Sequence, residues 1–190
     1  MADDLTEIDI PLGWSGPVLP IGRWAGDLDR RRFANVSWPT LPLTLADNHM
    51  GSAFVGPVDS AEVLTVDEIA ERVTLTDQDR EEIGDSALWF SGRFAPTEEG
   101  MKSAAQLAFW GRLPVSVEVR DGDYVEVPVE RDGEIVGMEM DWSRTVVGAV
   151  ALERLPAFAG AWIRPDATAA QFMPEPDGPA DFVDDDPMEP

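Results

Sequence analysis

The sequence predicts an α+β domain with more strand than helix, on three observations. Val115 to Val119 and Tyr124 to Val129 alternate strictly between apolar and polar residues, the period of a strand with one buried face. Ala87 to Phe94 (ALWFSGRF) is dense in aromatic residues and reads as a buried strand. Thr97 to Trp110 carries the signals of one long helix.

Taken in order, Pro17 to Gly22 is a short apolar run, and Leu41 to Leu45 is another that ends in the polar turn Ala46-Asp47-Asn48-His49. Ser52 to Val55 and Val63 to Val66 are expected to pair around a break at Gly56-Pro57. Val66 to Glu71 and Thr76 to Glu82 are candidate short helices. In the long helix Thr97 is the N-cap, Glu98 and Glu99 suit the positive end of the dipole, and Gly111 lies just past the C-terminus. Its expected apolar face is Met101, Ala104, Ala105, Ala108 and Phe109. Asp121-Gly122 is expected to supply a hairpin turn before Tyr124 to Val129, and Asp132-Gly133 a second before Ile135 to Met140. Thr145 to Leu152 is a further strand, and no internal repeat stands out.

The chain of 190 residues is long enough for one domain to bury a sizeable core. It holds 37 acids against 14 bases, a net charge of −23. That balance argues against nucleic acid and against an anionic membrane surface, since both demand clustered cations. Cysteine is absent, which excludes disulfides, thiolate zinc sites and cysteine nucleophiles. His49 is the single histidine. No apolar run reaches the roughly 18 residues of a membrane span, and MADDLTEIDI lacks the basic and apolar regions of a signal peptide. The expectation is a soluble, cytoplasmic protein.

The charge is uneven. Residues 1–15 form an acidic N-terminal flank, residues 16–164 a domain, and residues 165–190 a tail with eight acids, six prolines and no base. Acids that repel and prolines that block ladders and helices give that tail no means to build a core.

Few side chains can carry chemistry. His49 is the natural general base, because its unperturbed pKa lies near neutrality. Ser116 stands on the polar face of its strand, directly after a helix and the turn Gly111-Arg112-Leu113-Pro114, and can project into a groove. No strained nucleophile elbow, phosphate-cradling glycine loop or calcium loop is present. The seven tryptophans read mostly as core or groove lining, and no cofactor or metal is expected.

The order of these elements resembles the capsid maturation (prohead) proteases of tailed DNA phages, relatives of the herpesvirus assemblins. The resemblance rests on SWPTLPLTLADNHMGSAFVG around His49, on Ser91-Gly92-Arg93-Phe94, on GRLPVSVEV around Ser116, and on VVGAVALERLPAFAGAWI with Pro156, Ala157, Phe158, Ala161 and Ile163. It covers roughly residues 16–164. It implies a mainly antiparallel β-barrel flanked by helices. It also implies a serine endopeptidase that acts inside an assembling procapsid in the host cytoplasm, cutting scaffold or the scaffold-like segment of the major capsid protein and often itself. By motif position His49 would be the base and Ser116 the nucleophile.

Two positions depart from the pattern. Many relatives carry a glutamate about seven residues before the Pro-Ala pair as third catalytic member; here that position is Ala149. Glu153 is the candidate in its place, with Asp141 and Asp47 as alternatives. A small residue often follows the serine by two; here it is Glu118, so oxyanion donors fall to backbone N–H groups, Arg112 or Arg144. The missing glutamate also admits an inactive protease-fold scaffold protein of the procapsid. A third reading is an unrelated acidic β-domain that binds a basic protein partner.

Overall fold

The computed structural model describes residues 12–23, 30–49, 53–154, 156 and 158–166. Residues 1–11, the tail from 167 and the motif residues 50–52 and Ala157 lie outside them, and with them most of what was expected of the two acidic flanks.

The elements in chain order are strands β1 (Gly13–Arg23), β2 (Arg30–Phe33), β3 (Val36–Ser37), β4 (Leu43–Ala46) and β5 (Phe54–Thr65), helices α1 (Val66–Arg72) and α2 (Asp77–Ile83), strand β6 (Ser86–Arg93), helix α3 (Glu98–Trp110), and strands β7 (Leu113–Arg131), β8 (Glu134–Leu152) and β9 (Trp162–Pro165). Seven strands close a barrel in the order β1-β6-β5-β4-β8-β7-β9, with β9 returning to β1. All these pairings are antiparallel except β4 with β8. β2 and β3 add parallel pairings to β8. The molecule is thus a mixed α/β protein with a closed barrel and three helices, as the expected fold class has it in outline. Among the described residues no helix is long and apolar enough to cross a membrane.

β6 shows why the barrel forms where it does. Leu88 and Phe90 point into the barrel core with Trp14, Leu45, Phe94, Val115, Val117 and Val150. Ala87 and Trp89 point outward into a second, smaller core under α1 and α2, with Ile69, Ile83 and Trp162. Burial on both faces is what makes this segment continuously apolar. Each short helix opens on a capping box, Thr65 with Glu68 in α1 and Thr76 with Asp79 in α2, so both candidate helices exist close to their expected bounds.

α3 also keeps its expected bounds and caps, Thr97 and Gly111, but packs a different face. Gly100, Ser103, Ala104 and Leu107 are buried, whereas Met101 and Phe109 are exposed. The cause is close approach. A Cβ at Gly100 would meet the Ala95 carbonyl oxygen at 2.1 Å and the Val55 carbonyl oxygen at 2.8 Å. Gly100 lets the start of the helix sit that near the barrel, and Leu107 supplies the large apolar contact two turns on.

Two expected turns are absent. Gly56 and Pro57 lie inside β5, paired to Leu45 and Thr44, and Val66 opens α1, so no hairpin forms between 52–55 and 63–66. Asp121 and Gly122 lie inside β7, opposite Val146 and Thr145. Gly122 packs against the Trp142 ring and the Arg144 carbonyl, where a Cβ would fall within 2.8 Å of both; the glycine serves contact there, not a turn. The turn is Asp132-Gly133, both with positive φ, the geometry that matches strand twist in a tight hairpin. β7 and β8 are therefore two 19-residue strands in place of four shorter ones.

Candidate active site

β4, β8 and β7 set one row of the site. Ala46 pairs with Ala151, and Ala151 pairs with Ser116. Val115 and Val117 fill the barrel, so Ser116 between them stands on its outer surface. Ser116 is only 6% exposed. Glu118 follows two residues later on the same face.

His49 comes three residues after the end of β4, and its loop is braced at the root. The Asp47 carboxylate accepts the Ala53 N–H at 2.9 Å and the Asn48 side-chain amide at 3.2 Å. His49 Nδ1 then lies 3.3 Å from Glu118 Oε1. Glu153 Oε1 accepts the His49 backbone N–H at 3.1 Å and stands 3.9 Å from Nε2. The Glu153 N–H donates to the Pro114 carbonyl, which ties the end of β8 to the start of β7. A carboxylate only accepts, so Glu118 assigns the proton of a neutral ring to Nδ1 and leaves the Nε2 lone pair to take another. Among the described residues no hydrogen bond joins His49 to Ser116.

Beside this face, α3 and the ends of β7 and β8 enclose a cavity of about 240 Å³ lined by Asp47, Ser103, Gln106, Pro114, Leu152 and Glu153. Asp47 and Glu153, which contact the histidine loop, are among its lining residues; His49 and Ser116 are not.

The structure thus brings His49, Glu153 and Glu118 together over the strand face that carries Ser116. Asp47 is at hand but its carboxylate holds the loop backbone. Asp141 is not brought in: it lies ten residues before Ala151 on β8 and pairs with Arg32 at 3.5 Å. The two arginines considered as oxyanion donors are engaged elsewhere. Arg112 binds Asp79 at 2.6 Å and lies over the Trp162 ring; Arg144 binds Asp121 and Asp123. Backbone N–H groups remain for that role.

Glu118 was expected only as a departure from a small residue, not as a partner of His49. Its spacing of two from Ser116, which puts both on one strand face, was the available signal. It also lies directly across the ladder from Ala149, the position where the resemblance places a glutamate. Among the described residues no group of three or more potential ligands is placed to hold a metal ion. The chain matches no family model, no curated protein and no solved structure.

Proposed function

We propose that the protein is a serine endopeptidase of phage procapsid maturation, with an assemblin-like barrel, Ser116 as nucleophile and His49 as base. The observation that carries the reading is the His49 ring, held at Nδ1 by Glu118 over the face of β7 that bears Ser116. Ser116 Oγ attacks the peptide carbonyl and forms the C–O bond of an acyl-enzyme, while Nε2 takes the hydroxyl proton. The proton passes to the leaving amine as the C–N bond breaks, and water, activated by the same nitrogen, hydrolyses the ester. The first step requires Nε2 to swing from Glu153 toward Ser116; resting sites often hold such contacts loosely. Glu118 is the orienting acid of this reading, and Glu153 the brace of the loop. Scaffold segments and the major capsid protein inside the assembling procapsid are the proposed substrates, with self-cleavage and self-association as part of the same role.

One observation favours a second reading, an inactive protease-fold scaffold protein: both imidazole nitrogens face carboxylates and Ser116 is nearly covered. Treatment of the folded protein with a fluorophosphonate, followed by peptide mass mapping, separates the two. Modification at Ser116 that disappears in His49→Ala supports the protease. No modification at Ser116, under conditions that modify a control serine protease, removes it and leaves the scaffold reading.

A further inference from the structure

β7 and β8 run on together past every strand that flanks them. β9 pairs with β7 only at Leu113 and Pro114, and β2 pairs with β8 from Glu139 to Trp142. β2 flanks β8 as far as Glu139, which lies opposite Val127, so residues 128–138 form a two-stranded arm, and among the described residues β7 has β8 on one side and no strand on the other from Val115 to its end. A two-stranded hairpin with no further cover is marginal in water. This one exposes Ile135, Val136 and Met138, and Tyr124 and Val125 stand on β7 just below it, each more than half exposed.

An uncovered edge with apolar neighbours is a template for an added strand. The charge of the arm narrows the occupant. Along this edge and the arm beyond it Asp121, Asp123, Glu126, Glu130, Asp132 and Glu134 stand with two bases, Arg120 and Arg131, and Arg144 on β8 pairs with the first two acids. A second copy would bring the same excess of acids, in a chain of net charge −23, into register with them, and like charges across a strand pair oppose pairing. The acidic segment after residue 166 is excluded on the same ground. Nucleic acid and anionic lipid are repelled as well. A cationic polypeptide is attracted, and its main chain can satisfy the free edge.

We propose that the edge of β7 from Val119 to Val127 docks an extended, lysine- or arginine-bearing segment of another protein, which adds to β7 as a further strand. Pro128 has no N–H to give and marks the limit toward the tip. Val125 and Val127, two apart on one face, receive alternate apolar side chains of the added strand. This edge begins one residue past Glu118, and the docking does not depend on the proposed activity.

The probe is a synthetic nine-residue peptide that alternates lysine and valine, with a dye at one end. Its control has the same sequence with every second amide N-methylated, which keeps charge and side chains but removes half of the strand donors. Anisotropy at low salt is expected to show the control at least tenfold weaker than the probe. Glu126→Lys/Glu130→Lys, two exposed positions, is expected to weaken the probe at least tenfold while circular dichroism stays unchanged. Amide proton exchange is expected to slow between Val119 and Val127 when the probe binds. Equal binding of probe and control, protection elsewhere in the domain, or no binding of the probe at all overturns the proposal.

Discussion

Glu118 holds the His49 ring from the opposite strand of the ladder to Ala149, its Oε1 3.3 Å from Nδ1. Removing that acceptor frees both the ring and its tautomer. Glu118→Ala is expected to lower the rate of fluorophosphonate modification at Ser116 by up to about 10⁴-fold, the loss seen when the orienting carboxylate of a triad is replaced. Glu118→Gln can present its amide N–H to Nδ1 and fix the wrong tautomer, and is expected to fall about as far. An unchanged rate in Glu118→Ala would show that the contact orients nothing.

Glu153 acts on the loop through the His49 backbone, so its loss should read differently. Glu153→Gln keeps an oxygen acceptor for that N–H and is expected to retain most of the Ser116 modification rate, whereas Glu153→Ala loosens the loop and lowers it. Equal rates for the two variants would remove the bracing role.

Ser116 sits in a row with Ala46 and Ala151, and among the described residues its hydroxyl makes no hydrogen bond. Ser116→Ala is therefore expected to abolish modification with a stability change within about 0.5 kcal/mol, as for substitutions that leave packing and polar pairing intact. Ser116→Leu adds volume to a nearly covered position and is expected to cost about 1–3 kcal/mol. Urea midpoints of the two variants check both.

Asp79 joins two structures, capping α2 through the Thr76 N–H and hydroxyl and pairing with Arg112. Burial alone would raise its carboxyl, but Arg112 and Thr76 outweigh burial and hold it below the usual range. A carboxyl lowered in the folded state contributes stability above its ordinary pKa, and that contribution is lost as pH falls through the lowered value. Asp79→Asn is expected to destabilise by about 1–3 kcal/mol at neutral pH, with the gap to the parent closing at strongly acidic pH. Thermal melts across pH 2 to 7 test the sign; a gap that widens on acidification contradicts it.

Gly100 decides how near α3 sits to the barrel. Gly100→Val is expected to lose at least about 1–3 kcal/mol, because the side chain meets the Ala95 and Val55 carbonyls and not a yielding neighbour. Since α3 forms a wall of the cavity beside His49, the same change should also alter protection of Ser103 and Gln106 in hydrogen exchange.

Local signals carried the sequence reading well where the cause was local. The caps at Thr97 and Gly111 bounded α3, and the aromatic density of 87–94 marked β6. The reading failed where a distant strand decided. Asp121-Gly122 and Asp132-Gly133 look alike over four residues, and only the pairing of β8 along all of β7 selects the second. The expected Ala104 is buried in α3, but it is joined by Gly100, Ser103 and Leu107 and not by Met101 or Phe109, because of what lies beneath the helix. Glu118 escaped for the same reason: its contact with His49 exists because β4 lies parallel to β8, a pairing no local pattern announces.

That parallel pairing also sets when the histidine loop can take its place as the chain emerges. The contacts of His49 are made to residues 69 and 104 positions further along, and β4 has no β8 to lie against until the last third of the chain is synthesised. Pairings so distant in sequence are slow, because much chain must be ordered before they form. β5 and β6, with α1 and α2 between them, can pair much earlier. The cluster around His49 is consequently among the last parts of the molecule to assemble, and a nascent chain released short of Leu152 cannot build it.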